Sequence, residues 1–235
     1  LFLNSKLNNN LSTYFKKFKV KLLSEVTAGQ CSTCLKAIDD IPLDESLTIS
    51  ACDNAVLFDE DEFLKIYNDQ NIDVIVWVTR GHPEAKRKPE MFGWVKVLNK
   101  KVKKISVKKP LNNPALDPMV IGTFTFKRAE VFKECAENLI KRKEKINGEF
   151  YVDSCINDAV LLGYNCQIFT VNHYFSWGTP NELKTFEYWQ SCFHKWKSHN
   201  YSWFNDPWRE DNNSLLPIHC EEKNSNFPSL KDESQ

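Results

Sequence analysis

The apolar run Leu47-Thr48-Ile49-Ser50-Ala51-Cys52 ends in Asp53 and Asn54. The run reads as a buried strand, and a carboxylate at a strand's carboxyl end lies where open α/β sheets bind ligands. A hard cation such as Mg²⁺ needs little more than one such oxygen donor together with substrate phosphates. The plainer reading is an aspartate capping the next turn. Three other segments have residue types suited to phosphate chemistry. Thr27-Ala28-Gly29-Gln30-Cys31-Ser32-Thr33 is a loop running into a helix. Amides exposed at that start could hold an anion or a base edge, or the segment is a capped helix start only. Gly93-Trp94-Val95-Lys96-Val97 precedes Ile105-Ser106-Val107-Lys108-Lys109-Pro110. A lysine before a proline at a strand end offers a point charge for phosphate, although Lys100, Lys101, Lys103 and Lys104 make the whole edge basic. The last is Trp177-Gly178-Thr179-Pro180-Asn181-Glu182-Leu183, which reads at least as a capped helix.

The eight cysteines include one close pair, Cys31-x-x-Cys34. No second pair and no histidine pair stands at zinc-ligand spacing, and no thioredoxin-like setting surrounds it. The expectation is reduced, mostly buried thiols in a cytoplasmic protein. His82, His173 and His194 have no partners at catalytic spacing and read as surface or loop residues.

These residues need a scaffold, and the chain has 235 residues with which to build it. Apolar residues are 42% and charged residues 26%, as in a soluble globular domain. Lys+Arg and Asp+Glu are both 31, so nothing global points to nucleic acid or an anionic membrane. No apolar stretch approaches the ~20 residues of a membrane span. The start, Leu1-Phe2-Leu3-Asn4-Ser5-Lys6, is too short and polar for a signal peptide, and without an initiator Met it is expected to be a fragment.

Alternation predicts strands at Phe18–Ser24, Leu47–Cys52, Ile72–Thr79, Val120–Phe126 and Cys166–Val171. Phe92–Leu98 and Val102–Val107 pair as a hairpin across Asn99-Lys100-Lys101. Helices are expected at Ser32–Ile41, from an Asp59 N-cap through Tyr67, at Ala129–Arg142, at Tyr151–Leu162 before Gly163, and from the Thr179–Glu182 capping box to about Trp196. This order predicts an α/β fold with a mixed, mostly parallel sheet and helices on both faces. Residues 1–198 form the expected domain, and 199–235 an irregular tail rich in Asn, Ser, Pro and charge. The Trp189–Trp196 stripe reads as core or as a homo-oligomer contact.

The seven glycines are 29, 81, 93, 122, 148, 163 and 178. None stand close enough for GxGxxG or a P-loop. Gly29, Gly93, Gly122 and Gly178 flank strands or open helices, where a ligand could lie against backbone.

In order and spacing, these segments resemble the sugar-phosphate nucleotidyltransferase family. The family has a loop of the teGqa-T type, matched by Thr27–Thr33, and a strand ending in Asp, matched by Asp53. Its Gly-x-Val hairpin and Glu-Lys-Pro strand end are matched by Gly93–Val97 and Lys108-Lys109-Pro110. Its Gly-x-Tyr-x-Phe strand and Gly-Thr-Pro helix start are matched by Gly122–Phe126 and Gly178-Thr179-Pro180. Glu149-Phe150-Tyr151-Val152 also resembles the segment before the family's late helix, and the likeness runs over about residues 18 to 196.

The resemblance implies a Rossmann-like, GT-A-like nucleotide-diphospho-sugar transferase fold. It implies Mg²⁺-dependent transfer from an NTP to a sugar 1-phosphate, giving an NDP-sugar or related precursor for polysaccharide biosynthesis, and pyrophosphate. Asp53 would bind Mg²⁺ and Lys109 would hold the sugar phosphate. Gly29, Gln30 and Thr33 belong to the base-binding loop, and Asn54, Gly93, Thr123 and Glu149 to the substrate site.

The chain departs from the family in three places. The family's first strand and Gly-rich loop are missing, so this piece alone is expected to be inactive. Ser176 stands where relatives often place a second Mg²⁺-binding Asp. Lys108 stands where a Glu contacts the sugar, which suggests another and more acidic acceptor; some relatives use phosphocholine. Two alternatives are an inactive regulatory homologue and a GT-A glycosyltransferase, although Asp53-Asn54-Ala55 lacks the second Asp of an Asp-x-Asp pair.

Overall fold

The computed structural model describes residues 11–12 and 15–195, with the side chains of 194 and 195 left aside. The expected tail at 199–235 lies outside the described residues. In chain order the elements are α1 (Gln30–Ala37), β1 (Leu47–Ile49), β2 (Asn54–Leu57), α2 (Glu60–Tyr67), β3 (Val74–Thr79) and α3 (Pro83–Arg87). There follow β4 (Gly93–Leu98), β5 (Lys101–Val107), β6 (Met119–Phe126), α4 (Ala129–Arg142), α5 (Val152–Leu161), β7 (Cys166–Thr170), β8 (His173–Ser176) and α6 (Pro180–Lys195).

Six strands form one sheet in the order β1-β6-β3-β7-β5-β4, and β2 pairs with β8 in a second, two-stranded sheet. The large sheet is mixed, as expected, but antiparallel pairings outnumber the parallel one among the described strands, so it is not mostly parallel. Strands β1, β3, β4 and β7 run one way; β5 and β6 run the other, because each pairs antiparallel with members of the first group. Reversed strands sit between forward ones, so β3–β7 is the parallel ladder among these pairings.

Strand alternation puts helices on both faces. Val74, Val76 and Val78 of β3 enter a core with Cys31 and Ile38, and with α4 and α5 through Phe132, Leu139 and Ile156. Ile75 and Trp77 enter a second core with Phe63 of α2, Ala85 of α3 and the fully buried Trp94. Local signals set the boundaries. The Asp59 carboxylate accepts the Glu62 amide at 3.0 Å and starts α2. Thr179 and Glu182 exchange backbone-to-side-chain hydrogen bonds of 3.2 and 3.0 Å and start α6. The β4–β5 hairpin turns through Asn99 and Lys100, both with positive φ, as a type I′ turn requires.

Some expectations fail. Phe18–Ser24 alternates but forms no strand; Leu22 is exposed, and Lys19 and Lys21 turn to Asp39 and Asp40 instead. Alternation makes a strand only when a neighbour supplies hydrogen bonds. The Leu47–Cys52 strand stops at Ile49 and is half-buried, because β1 is an edge that pairs with β6 alone among the described strands. Asp53 consequently sits in a bend just before β2, a strand the apolar pattern does not single out.

By its contacts the chain divides into two units: Leu1–Ala51 with Val56–Tyr174, and Cys52–Ala55 with Phe175–Gln235. No helix among the described residues is long and apolar enough to cross a membrane.

Candidate functional site

In the first unit the candidate residues gather around α5. The side-chain amide of Asn157 accepts from Ile105 N at 2.7 Å and donates to Ile105 O at 2.9 Å. It thereby satisfies a stretch of β5 whose ladder with β7 is a single pair, Lys101–Gln167. Asp158, buried beside it, takes two hydrogen bonds from Arg142 of α4, at 2.9 and 2.8 Å. With α5 clamped to β5 and α4, its first turn is held at the start of β4.

That first turn carries Asp153. A Cβ on Gly93 would overlap Asp153 Oδ2, and would stand 3.3 Å from its Cγ. Gly93 is therefore a glycine because a carboxylate occupies the space beside it. Burial pushes the Asp153 carboxyl up to about 6, while Lys108 and its own backbone amide pull the other way. Lys108, the residue after β5, has φ of 56° and donates its ammonium to the Met91 carbonyl. The same ammonium lies 5.9 Å over the Tyr151 ring. Burial also raises the Tyr151 hydroxyl, helped by its hydrogen bond to Glu149. Gly93, Lys108, Glu149, Tyr151 and Asp153 thus form one constellation.

Sequence reasoning missed Asp153. An acid in a helix's first turn is an ordinary partner of the helix dipole, so nothing in the pattern marks it. The one usable signal is its spacing from Asn157, one turn further on.

Gly29 and Glu149 also come together. Gly29 precedes α1 with φ of 115°, and a Cβ there would stand 2.7 Å from Phe150 N and 2.9 Å from Glu149 Cβ. Phe150 N donates to Ala28 O at 2.8 Å, and Cys31 N donates to Phe150 O at 2.9 Å. The close approach that requires glycine here is to the protein's own backbone. The Thr33 hydroxyl pairs with that of Thr27 at 2.6 Å, which ties the loop to its helix, and Gln30 is exposed. Thr123 is buried in β6, its hydroxyl 3.1 Å from that of Ser50. Lys109 is exposed; its carbonyl accepts from Ser106 at 2.7 Å. The Cys31–Cys34 pair lies on α1, and burial pushes the Cys34 thiol up to about 11, which disfavours a thiolate role.

In the second unit Asp53 is exposed, and its carbonyl accepts from Trp177 N at 3.0 Å. A Cβ on Gly178 would stand 2.6 Å from Asp53 Oδ2. Asp53 and the Gly178-Thr179-Pro180 segment, far apart in sequence, are therefore neighbours. No ion pair or side-chain hydrogen bond engages the Asp53 carboxylate among the described residues, and Asn54 opens β2 beside it. No three His, Cys, Asp or Glu side chains cluster as a metal site among them either. One free, hard oxygen donor fits Mg²⁺, which keeps waters and takes its other ligands from phosphates; it does not fit a metal that needs a full protein cage.

No protein-family model matches the chain, and no curated protein matches it. Solved structures do. The nucleoside-diphosphate-sugar pyrophosphorylase from Vibrio cholerae RC9 aligns with a TM-score of 0.62 at 19% identity, over 78% of this chain and 75% of its own. The inositol-1-phosphate CTP transferase from T. maritima aligns with a TM-score of 0.55 at 16% identity, over 79% of this chain and 69% of its own. A putative glucose-1-phosphate thymidylyltransferase from Bacillus anthracis aligns with a TM-score of 0.51 at 19% identity, over 68% of this chain and 61% of its own. At these identities the likeness establishes a shared fold.

Proposed function

We propose, from that shared nucleotidyltransferase fold, that this chain belongs to the catalytic part of a Mg²⁺-dependent nucleotidyltransferase. The reaction is NTP + sugar 1-phosphate, or a similar phosphorylated acceptor, giving the NDP-linked acceptor and pyrophosphate. An acceptor phosphate oxygen forms a bond to the α-phosphorus. The bond from that phosphorus to the β-phosphate's bridging oxygen breaks, and pyrophosphate carries away the electron pair. The observation that carries this reading is the fold held in common with three structures named as enzymes of this kind.

Asp53 would hold Mg²⁺, which when bound neutralises phosphate charge. The chain's own residues position the reactants. The exposed ammonium of Lys109 binds the acceptor phosphate. The Cys31 amide is already donated to Phe150, so the exposed Gln30 side chain, on a start stiffened by Gly29 and Thr33, reads the base. In the first unit Gly93, Glu149 and Thr123, and in the second unit Asn54, are the further substrate contacts of this reading. A cytoplasmic location goes with this use of NTP.

Isothermal titration of the full chain with Mg²⁺ and each NTP tests the reading. Binding of at least one NTP that requires Mg²⁺ is expected; no binding of any of them sinks it. A second reading, a nucleotide-binding homologue without transfer activity, is favoured by Ser176, a neutral side chain where a second metal-binding carboxylate is expected. Nucleotide binding with no pyrophosphate released from any NTP–acceptor pair would select it.

A further inference from the structure

We propose that Asp153 is the acceptor-binding carboxylate, and that it selects a phosphorylated polyol over a phosphate ester bearing a fixed positive charge. The proposal rests on the transfer reading above and names the acceptor class for it.

The carboxylate is built in from several sides. Gly93 leaves the space that Oδ2 fills. The Asn157 and Asp158 hydrogen bonds fix the helix that carries it. Such placement is more than a structural ion pair needs. The Lys108 ammonium donates to the Met91 carbonyl and acts on Asp153 only as a nearby charge. Asp153 is half-buried, and among the described residues no hydrogen bond from another residue engages its carboxylate. A carboxylate has about four acceptor positions, so most of its capacity remains for a ligand.

Lys108 decides which ligand. A lone carboxylate beside an aromatic ring would suit an ammonium group. Here the Tyr151 ring face is already taken by Lys108, 5.9 Å from its centroid. A second cation would meet that ammonium as a like charge. A hydroxyl donates to the carboxylate without adding charge, and sites built to bond hydroxyls reject ligands that lack them. Lys108 is thus a matched cation and a positioning residue, which replaces the more acidic acceptor suggested by its charge alone.

The test is isothermal titration of the full chain with glucose 1-phosphate, inositol 1-phosphate and phosphocholine, beside Mg²⁺–NTP as a separate arm. At least one polyol phosphate should bind about tenfold or more tighter than phosphocholine. Asp153→Ala should cost that polyol about tenfold or more and leave phosphocholine little changed, with Asp153→Asn between wild type and Asp153→Ala. Lys108→Ala should narrow the preference, and Lys108→Arg should restore it. Phosphocholine binding as tightly as the polyols overturns the proposal. So does an Asp153→Ala protein, folded by circular dichroism, with unchanged polyol affinity. Mg²⁺–NTP binding with no binding of any of the three esters overturns it too, and leaves the transfer reading standing; loss of both arms removes both.

Discussion

Gly93 and Gly178 each have an aspartate oxygen where a Cβ of their own would stand, and the settings differ. Beside Gly93 the carboxylate is Asp153, partly buried and carried by a helix with two anchors. Beside Gly178 it is Asp53, exposed and carried by a bend. The half-buried carboxyl has its charge offset by Lys108 and suits a neutral hydrogen-bond donor. The exposed one has no protein partner among the described residues and suits a hard cation. Gly93 at a strand start and Gly178 before a helix start therefore each mark the place of a side chain from elsewhere in the sequence, whereas Gly29 makes room for backbone.

Substitution at the first glycine should have the largest effect. Gly93→Ala forces a methyl into the space of the Asp153 carboxylate, on a helix anchored to β5 and α4, and should destabilise the chain by about 2–3 kcal/mol in chemical denaturation. Adding Asp153→Ala should recover most of that loss. A Gly93→Ala protein as stable as wild type would break the contrast at its stronger end.

The next effect is on pH dependence. A carboxyl raised from 3.8 to about 6 is harder to ionise folded than unfolded. Its contribution to stability is therefore lost as pH rises through that window, and regained on acidification. Asp153→Asn should be more stable than wild type at pH 8 by about 1–2 kcal/mol, with the difference shrinking between pH 6 and 4. A constant difference across that range would show that the carboxyl titrates normally.

Gly178→Ala should cost less than about 1 kcal/mol, since an exposed carboxylate can swing aside. Asp53→Asn should change stability by less than about 0.5 kcal/mol, yet weaken Mg²⁺-dependent NTP binding by about tenfold or more. A large stability loss in Asp53→Asn, seen in the same melts, would make that residue structural and erase the difference between the two glycines.

Features written in adjacent residues were legible in the sequence. Ala129–Arg142 is the helix expected from its apolar spacing, with Val131, Phe132, Cys135 and Leu139 buried. Asp59, the Thr179–Glu182 box and the hairpin turn are encoded within four residues each, and the structure keeps them. What depends on partners was not legible. The edge position of β1, and so the bend at Asp53, follows from which strand pairs with it. The β2–β8 pair joins short segments more than a hundred residues apart in the chain. The site divides the same way. Gly29, Gly93 and Asp53 stood out as residue types at element boundaries, whereas Asp153 acquires its setting only when α5 docks beside β4 and β5.

That docking has its own reporter. The Ile105 amide donates to the side chain of Asn157 instead of a neighbouring strand's carbonyl. Its exchange with deuterated solvent should therefore follow the lifting of α5, while amides in the β3–β7 ladder follow the opening of the sheet. One resonance in an exchange experiment would thus read how long the carboxylate-bearing helix stays seated, independently of the stability of the sheet beneath it.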